Sequence, residues 1–259
     1  MDRNQLNTIW HKPLCQPILA NNQVHIWRTS LDFSTAKVNQ LATFLSIDEL
    51  ARANRFHFPE HKKRFIAARG ILRQLLGNYM QTSPNKLKFE YGDQGKPRLA
   101  TSMGNSSLQF NISHSQNYAL YGFTYHDPIG VDLEYLREMK DAVKVAKRFF
   151  SPREYRMIAN LPSEQQQRVF FKLWTAKEAY LKAIGTGLAE LASIEVSLDR
   201  TETPRLLAIE GKIVEAANWT MHFCIPASSY VAVVVVSAQI TKQQISFWNW
   251  HSNLPAGDN

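Results

Sequence analysis

The 259-residue chain reads as an α+β protein built from two similar halves, and three observations predict this. Short stretches of alternating or continuous apolar residues bounded by turn residues mark strands, and longer stretches with helical spacing mark helices. A plan of helices followed by strands then occurs twice along the chain. There is no low-complexity stretch and no long linker, so the joint falls at the Asp127-Pro128 turn and gives halves of residues 1–127 and 128–259.

In the first half, residues 23–27 alternate polar and apolar side chains, as a half-buried strand does. Ser46, with Glu49 three residues later, has the pattern of a capping box and opens a helix through about Ala53. Residues 62–80 form a longer helix, with Phe65, Ile66, Leu72, Leu75 and Leu76 available for its apolar face. Strands follow at 87–91, 108–112 and 119–124, and His126-Asp127-Pro128 turns the chain. The second half opens on a short buried strand, 129–133, that runs into acids. Helices come next at 142–150 and 152–159, the second capped by Ser151 with Glu154 at the capping-box position. A long helix over 165–184 is stopped by Gly185 and Gly187. Strands at 194–198, 206–209, 220–225 and 230–237 complete the half.

Composition narrows the function. The 44% hydrophobic content suits a packed soluble protein, and the two cysteines, Cys15 and Cys224, lack any metal spacing and imply a reducing compartment. The first residues, Met1 to Gln5, lack a signal-peptide plan, and the longest apolar run, residues 230–236, is far below the ~20 residues of a membrane helix. A cytoplasmic protein with no membrane partner is expected. The net charge of +8 and pI near 9.5 favour an anionic partner: nucleic acid, a phosphorylated small molecule or an acidic protein. Seven cations (Arg52, Arg55, Lys62, Lys63, Arg64, Arg69, Arg73) face one acid, Glu60, within residues 52–73. A solvated basic helix face explains that cluster as readily as a phosphate site does.

No phosphate-binding P-loop, dinucleotide fingerprint, nucleophile elbow or zinc-protease motif is present. Four other stretches carry chemistry. In Gly130-Val131-Asp132-Leu133-Glu134 the two acids are two apart on a strand, so they share a face and repel unless a hard cation intervenes. Taken alone, they read more readily as solvated acids at an exposed strand end than as ion ligands. Within residues 174–182, Glu178 and Lys182 lie one turn apart on a helix otherwise crowded with apolar groups, which a simple surface pair does not explain. Phe110-Asn111-Ile112-Ser113-His114-Ser115 ends a strand with a histidine able to offer an N–H to an anion, and no triad order accompanies it. Gly95-Lys96-Pro97 is a turn presenting one lysine.

In this order the four stretches resemble the 4′-phosphopantetheinyl transferases of the Sfp type: G-K-P, then F-N-x-S-H-S, then G-x-D-x-E, then W-x-x-K-E-A-x-x-K. Residues 149–155, Phe-Phe-Ser-Pro-Arg-Glu-Tyr, resemble the family's F-F-S-x-x-E-Y stretch, and the likeness spans roughly residues 24–240. It implies a pseudo-twofold monomer with coenzyme A in the cleft between two α+β halves. It also implies that Asp132, Glu134 and Glu178 hold Mg²⁺, that Ser113, His114 and Lys182 meet the phosphates, and that Lys96 lies near the nucleotide. Glu178, Lys182 and His114 are the catalytic groups so implied, and Arg52, Lys63 and Arg64 are candidates for the 3′-phosphate. The basic segment departs from the family pattern, with Glu49 at one of its cationic positions. The implied reaction moves phosphopantetheine from coenzyme A to a serine of an apo acyl or peptidyl carrier protein and releases adenosine 3′,5′-bisphosphate. Nucleic-acid binding leaves Asp132, Glu134 and Glu178 unexplained, since acids beside a binding groove repel phosphate. A coenzyme A-binding module without catalysis leaves the same acids and Lys182 without a purpose.

Overall fold

A computed structural model describes residues 8–104, 107–198 and 204–251, so Met1 to Gln5 lie outside the described residues. In chain order the elements are β1 (Val24–Ser30), α1 (Thr35–Ala42), α2 (Ile47–Asn54), α3 (Pro59–Met80), β2 (Phe89–Tyr91), β3 (Pro97–Leu99), β4 (Leu108–Ser115), β5 (Tyr118–Tyr125) and β6 (Ile129–Tyr135). They continue with α4 (Ala142–Phe149), α5 (Pro152–Ala159), α6 (Ser163–Ile184), β7 (Ile194–Leu198), β8 (Pro204–Ile209), α7 (Ile213–Ala216), β9 (Thr220–Cys224), β10 (Tyr230–Val236) and β11 (Ile245–Asn249). The α+β class holds. Among the described residues no helix is long and apolar enough to cross a membrane.

Two sheets carry the architecture, one in the order β11-β1-β5-β4 and the other β6-β10-β9. Side-chain alternation sorts their faces. Ala119, Tyr121 and Phe123 of β5 pack under α3 against Ala68, Ile71, Leu72 and Leu75. Val231, Val233 and Val235 of β10 pack under α6 against Phe170, Leu173 and Ala176. The remaining faces share a third core, in which Val24, Ile26 and Leu120 of one sheet join Val131, Leu133, Ala232 and Val234 of the other. β10 is therefore buried on both faces, which is why residues 230–236 read as an unbroken apolar run.

The order of elements recurs. β1 and β6 each have 7 residues, α3 and α6 each have 22, and the sequences β1-β5-β4 and β6-β10-β9 correspond. Each long helix ends on a left-handed residue, Gln81 at φ 51° and Gly185 at φ 78°. Both capping boxes form, and both do more than cap. Glu49 accepts the Ser46 N–H (3.1 Å) and also the buried Arg73 guanidinium of α3 (2.6 Å). Glu154 accepts the Ser151 N–H (2.8 Å), the Val196 N–H (2.8 Å) and the ammonium of Lys177 on α6 (2.6 Å). The sheet that holds β1 also takes in a strand from far along the chain: β11 pairs in parallel with β1.

α6 meets β6 at Gly130. A Cβ there would lie 1.9 Å from the Ala179 carbonyl oxygen and 2.4 Å from the Ala183 nitrogen, so helix backbone occupies the space a side chain would need. Lys96, in the turn before β3, donates to the carbonyls of Ala183 (2.7 Å) and Ile129 (3.3 Å), tying the end of α6 to the start of β6. Gly130→Ala should therefore cost at least the upper end of the ~1–3 kcal/mol usual for overpacking, because both obstacles are backbone. Gly122→Ala, whose Cβ would meet only the side-chain ends of Ile129 and Val131 at 2.8 Å, should cost less. Urea unfolding of the two variants beside wild type checks the order.

Candidate active site

Asp132 and Glu134 stand on the face of β6 that α6 covers, and Glu178 and Lys182 stand on the helix face that covers it. The close approach at Gly130 brings the pairs together. Lys182 Nζ donates to Asp132 Oδ1 (2.6 Å) and Ser113 Oγ (3.0 Å), so its partner lies across the interface on a strand. A simple helical pair with Glu178, which the i,i+4 spacing alone would allow, is not what forms: the ion pair of Lys182 is with Asp132. Ser113 Oγ in turn donates to Asp132 Oδ1 (3.0 Å), and Ser115 Oγ donates to Glu134 Oε2 (3.2 Å).

The charges interact strongly. Burial, then Asp132 and Glu134, push the Glu178 carboxyl up to about 7, with Lys182 acting in the opposite direction. Burial followed by Asp132 also raises Glu134. Burial opposes the charge on Lys182, but Asp132, Glu178 and Glu134 together hold its pKa above the ordinary lysine value. One ammonium thus faces three carboxylates, and Asp132 Oδ2 stays buried without a hydrogen-bond partner.

His114, at the solvent side of β4, is surrounded by cations. The surrounding protein, then Lys182, Arg64, Arg69 and Arg52, lower its pKa, so at neutral pH it is the neutral ring with one N–H to donate. Arg52 is exposed and lies over the Phe65 ring (5.5 Å), Arg64 is half-buried, and Lys63 sits 3.7 Å from Glu60. The basic segment divides here. Arg69 and Arg73 are buried and paired with Glu49, at 3.2 and 2.6 Å, whereas Arg52 and Arg64 lie outside these pairs and Lys63 is near Glu60.

Sequence reasoning therefore placed Asp132, Glu134, Glu178, Lys182, Ser113 and His114 in one neighbourhood. Lys96 joins it through backbone carbonyls of β6 and α6, and burial pushes its amine down to about 8. What sequence reasoning missed is the part played by Asn111 and by Ser115, which with Ser113 lie two apart along β4, as Gly130, Asp132 and Glu134 do along β6. It also missed the second role of Glu49 and Glu154, which a local capping pattern does not disclose.

Comparisons with known proteins identify the family. Residues 128–235 match the model of the 4′-phosphopantetheinyl transferase superfamily, and residues 25–122 match that of the 4′-phosphopantetheinyl transferase N-terminal region. The 4′-phosphopantetheinyl transferase HetI of Nostoc sp. (strain PCC 7120) is 47% identical over 232 residues, covering 90% of this chain and 94% of that protein. The 4′-phosphopantetheinyl transferase gsp of Aneurinibacillus migulanus is 31% identical over 70% of this chain and 78% of its own. Sfp of Bacillus subtilis (strain 168) is 29% identical over 57% and 63%. The chain belongs to the 4′-phosphopantetheinyl transferase superfamily, in its Sfp type, and is a transferase.

Removing Lys182 exposes the carboxylates to one another. Lys182→Ala should lower stability by more than the ~1–3 kcal/mol of stranding a neutral buried polar group, because the buried partner it leaves, Asp132, is charged. A mere i,i+4 surface pair would cost only ~0.2–0.5 kcal/mol. Chemical denaturation in metal-free buffer distinguishes the two values.

Proposed function

We propose that this transferase moves the 4′-phosphopantetheine group from coenzyme A to a serine of an apo acyl or peptidyl carrier protein. The reaction depends on Mg²⁺ and releases adenosine 3′,5′-bisphosphate. The observation that supports it most is the meeting of Asp132, Glu134 and Glu178 around a single ammonium, beside the cations that surround His114.

The donor set fits a hard dication. Three carboxylates supply the oxygens such an ion prefers, Asp132 Oδ2 is buried without a partner, and the mutual repulsion that raises Glu134 and Glu178 would be relieved. Among the described residues no three His, Cys, Asp or Glu side chains are gathered into a ready-made ion site, so holding one requires these carboxylates to close together. When bound, the ion would supply positive charge to the diphosphate of coenzyme A and to its leaving oxygen.

The chain's own groups do the rest. Lys182 adds fixed charge where the diphosphate lies, and neutral His114 donates an N–H to a phosphate oxygen. Glu178 takes the proton of the carrier serine, directly or through a water, as the serine oxygen forms its bond to the pantetheine-bearing phosphorus. The bond from that phosphorus to the bridging oxygen breaks, and adenosine 3′,5′-bisphosphate carries the electron pair away. No covalent enzyme intermediate is needed. Arg52, Lys63 and Arg64 hold the 3′-phosphate, and Ser113 and Lys96 support the site through bonds to Asp132 and to the β6 and α6 backbone. Transfer occurs in the cytoplasm by a monomer, in the cleft between halves 1–127 and 128–259. Nucleic acid is not a partner in this reading.

Incubation with Mg²⁺, coenzyme A and a panel of apo carrier proteins, read by intact mass, should show addition of one phosphopantetheine to at least one carrier. Asp132→Ala should reduce this at least ~100-fold while leaving the circular dichroism spectrum unchanged, and chelation should abolish it in wild type. Wild-type turnover in the folded variant would remove Asp132 from the site. For the basic segment, Arg64→Ala should weaken coenzyme A binding by the ~1.5–3 kcal/mol of a charge-assisted hydrogen bond. The same substitution should barely alter binding of dephospho-coenzyme A. Lys63→Ala, already engaged with Glu60, should show a smaller difference. Calorimetric titration at fixed ionic strength compares the two ligands.

A further inference from the structure

β4 and β6 are edge strands of different sheets, and side chains rather than a backbone ladder join them. From β4, Asn111 Oδ1 accepts the N–H of Val131 (2.9 Å), Ser113 Oγ that of Leu133 (3.2 Å) and Ser115 Oγ that of Tyr135 (3.1 Å). Residues two apart on one strand thus meet amides two apart on the other. A serine hydroxyl that accepts an N–H still has its own proton to give. Ser113 gives it to Asp132 and Ser115 gives it to Glu134, in each case the residue just before the amide it anchors. At the third step, the residue before Val131 is Gly130, which has no side chain and whose place the α6 backbone fills. The Asn-x-Ser-x-Ser and Gly-x-Asp-x-Glu runs are therefore two sides of one seam, matched residue for residue.

We infer that Ser115 and Ser113 are positioning residues, each fixing the direction of one acid while its oxygen anchors the strand that carries the acid. A glutamate side chain has several rotatable bonds, and a carboxylate poised to hold an ion has to be confined to few of its rotamers. Here the confinement comes from the register of β4 against β6. Ser113 does this from a buried position between Asp132 and Lys182, so it acts on coenzyme A only through those two groups. The inference rests on reading Asp132 and Glu134 as ion ligands, and it extends that reading to the residues that hold them in place.

Ser115 is the informative position, because its loss touches neither Asp132 nor Lys182. Mn²⁺ titrated into the full chain with coenzyme A present, and followed by loss of the free-ion paramagnetic resonance signal, reads ion affinity without turnover. Ser115→Ala should weaken Mn²⁺ by ~10-fold, the usual effect of removing a group that orients a ligand, and Ser115→Thr should restore most of the loss. Asn111→Ala breaks the seam opposite Gly130, where no acid sits. It should lower the melting temperature more than Ser115→Ala does and leave Mn²⁺ affinity near wild type. Wild-type affinity in Ser115→Ala overturns the inference, and so does an equal loss in Asn111→Ala. If Ser115→Ala does not fold, Ser115→Cys, a near-isosteric weak donor, carries the same expectation. If wild type itself binds no Mn²⁺, the ligand reading has failed instead. The seam is then judged by amide exchange at Tyr135, which Ser115→Ala must accelerate and which, if unchanged, overturns it.

Discussion

The site depends on the contact between the α6 backbone and Gly130. Any side chain at this position of β6 would hold the helix off by the width of a methyl group or more, since its Cβ would overlap Ala179 and Ala183. The reach of Lys182 to Asp132, at 2.6 Å, exists only at that separation. A charged pair on a mostly apolar helix then has a reason to be there: its partners stand on the strand beneath. Lys96, bonded to carbonyls on both sides of the contact, holds it from the edge.

Around this contact the molecule places charge where it must be compensated. Glu49 with Arg69 and Arg73, and Glu154 with Lys177, are buried ion pairs, each built on the acid of a capping box. Such pairs add little net stability, because removing both charges from water offsets most of their attraction. Their value here is directional. Each ties a short helix to a long one, at the capping box, and so orients the long helix on its sheet. The acids at 132, 134 and 178 differ from these pairs, since Lys182 alone does not balance them.

Much of this was legible in the sequence. Alternation along residues 23–27, the continuous apolar run at 230–236 and the two Ser-x-x-Glu boxes identified elements that exist where expected, because their causes are local. The acids were legible as neighbours on one strand face for the same reason. What was not legible depended on tertiary approach. Lys182 read as a phosphate-facing group one turn from Glu178, and its contact with Asp132 was not foreseen, because nothing in the helix announces that a strand with a glycine lies against it. Arg69 and Arg73 read as part of a basic surface, yet Glu49, itself read as a cap, draws both inside. Strands β3 and β11 and helices α1 and α7 went unseen, since three to eight residues without strong periodicity carry too little signal to stand apart from loop.

The parallel pairing of β11 with β1 joins residues separated by more than two hundred positions, as in Trp27 beside Trp248. Trp250, just beyond β11, also fills the core beneath α3 with Leu41 and Leu72. On the ribosome, therefore, the first half is synthesised long before the strand that completes its sheet. Until β11 emerges, β1 presents an open edge and the α3 core lacks an indole, both of which invite association with other nascent chains. Completion of this sheet thus waits on a contact of very long sequence separation and is correspondingly slow.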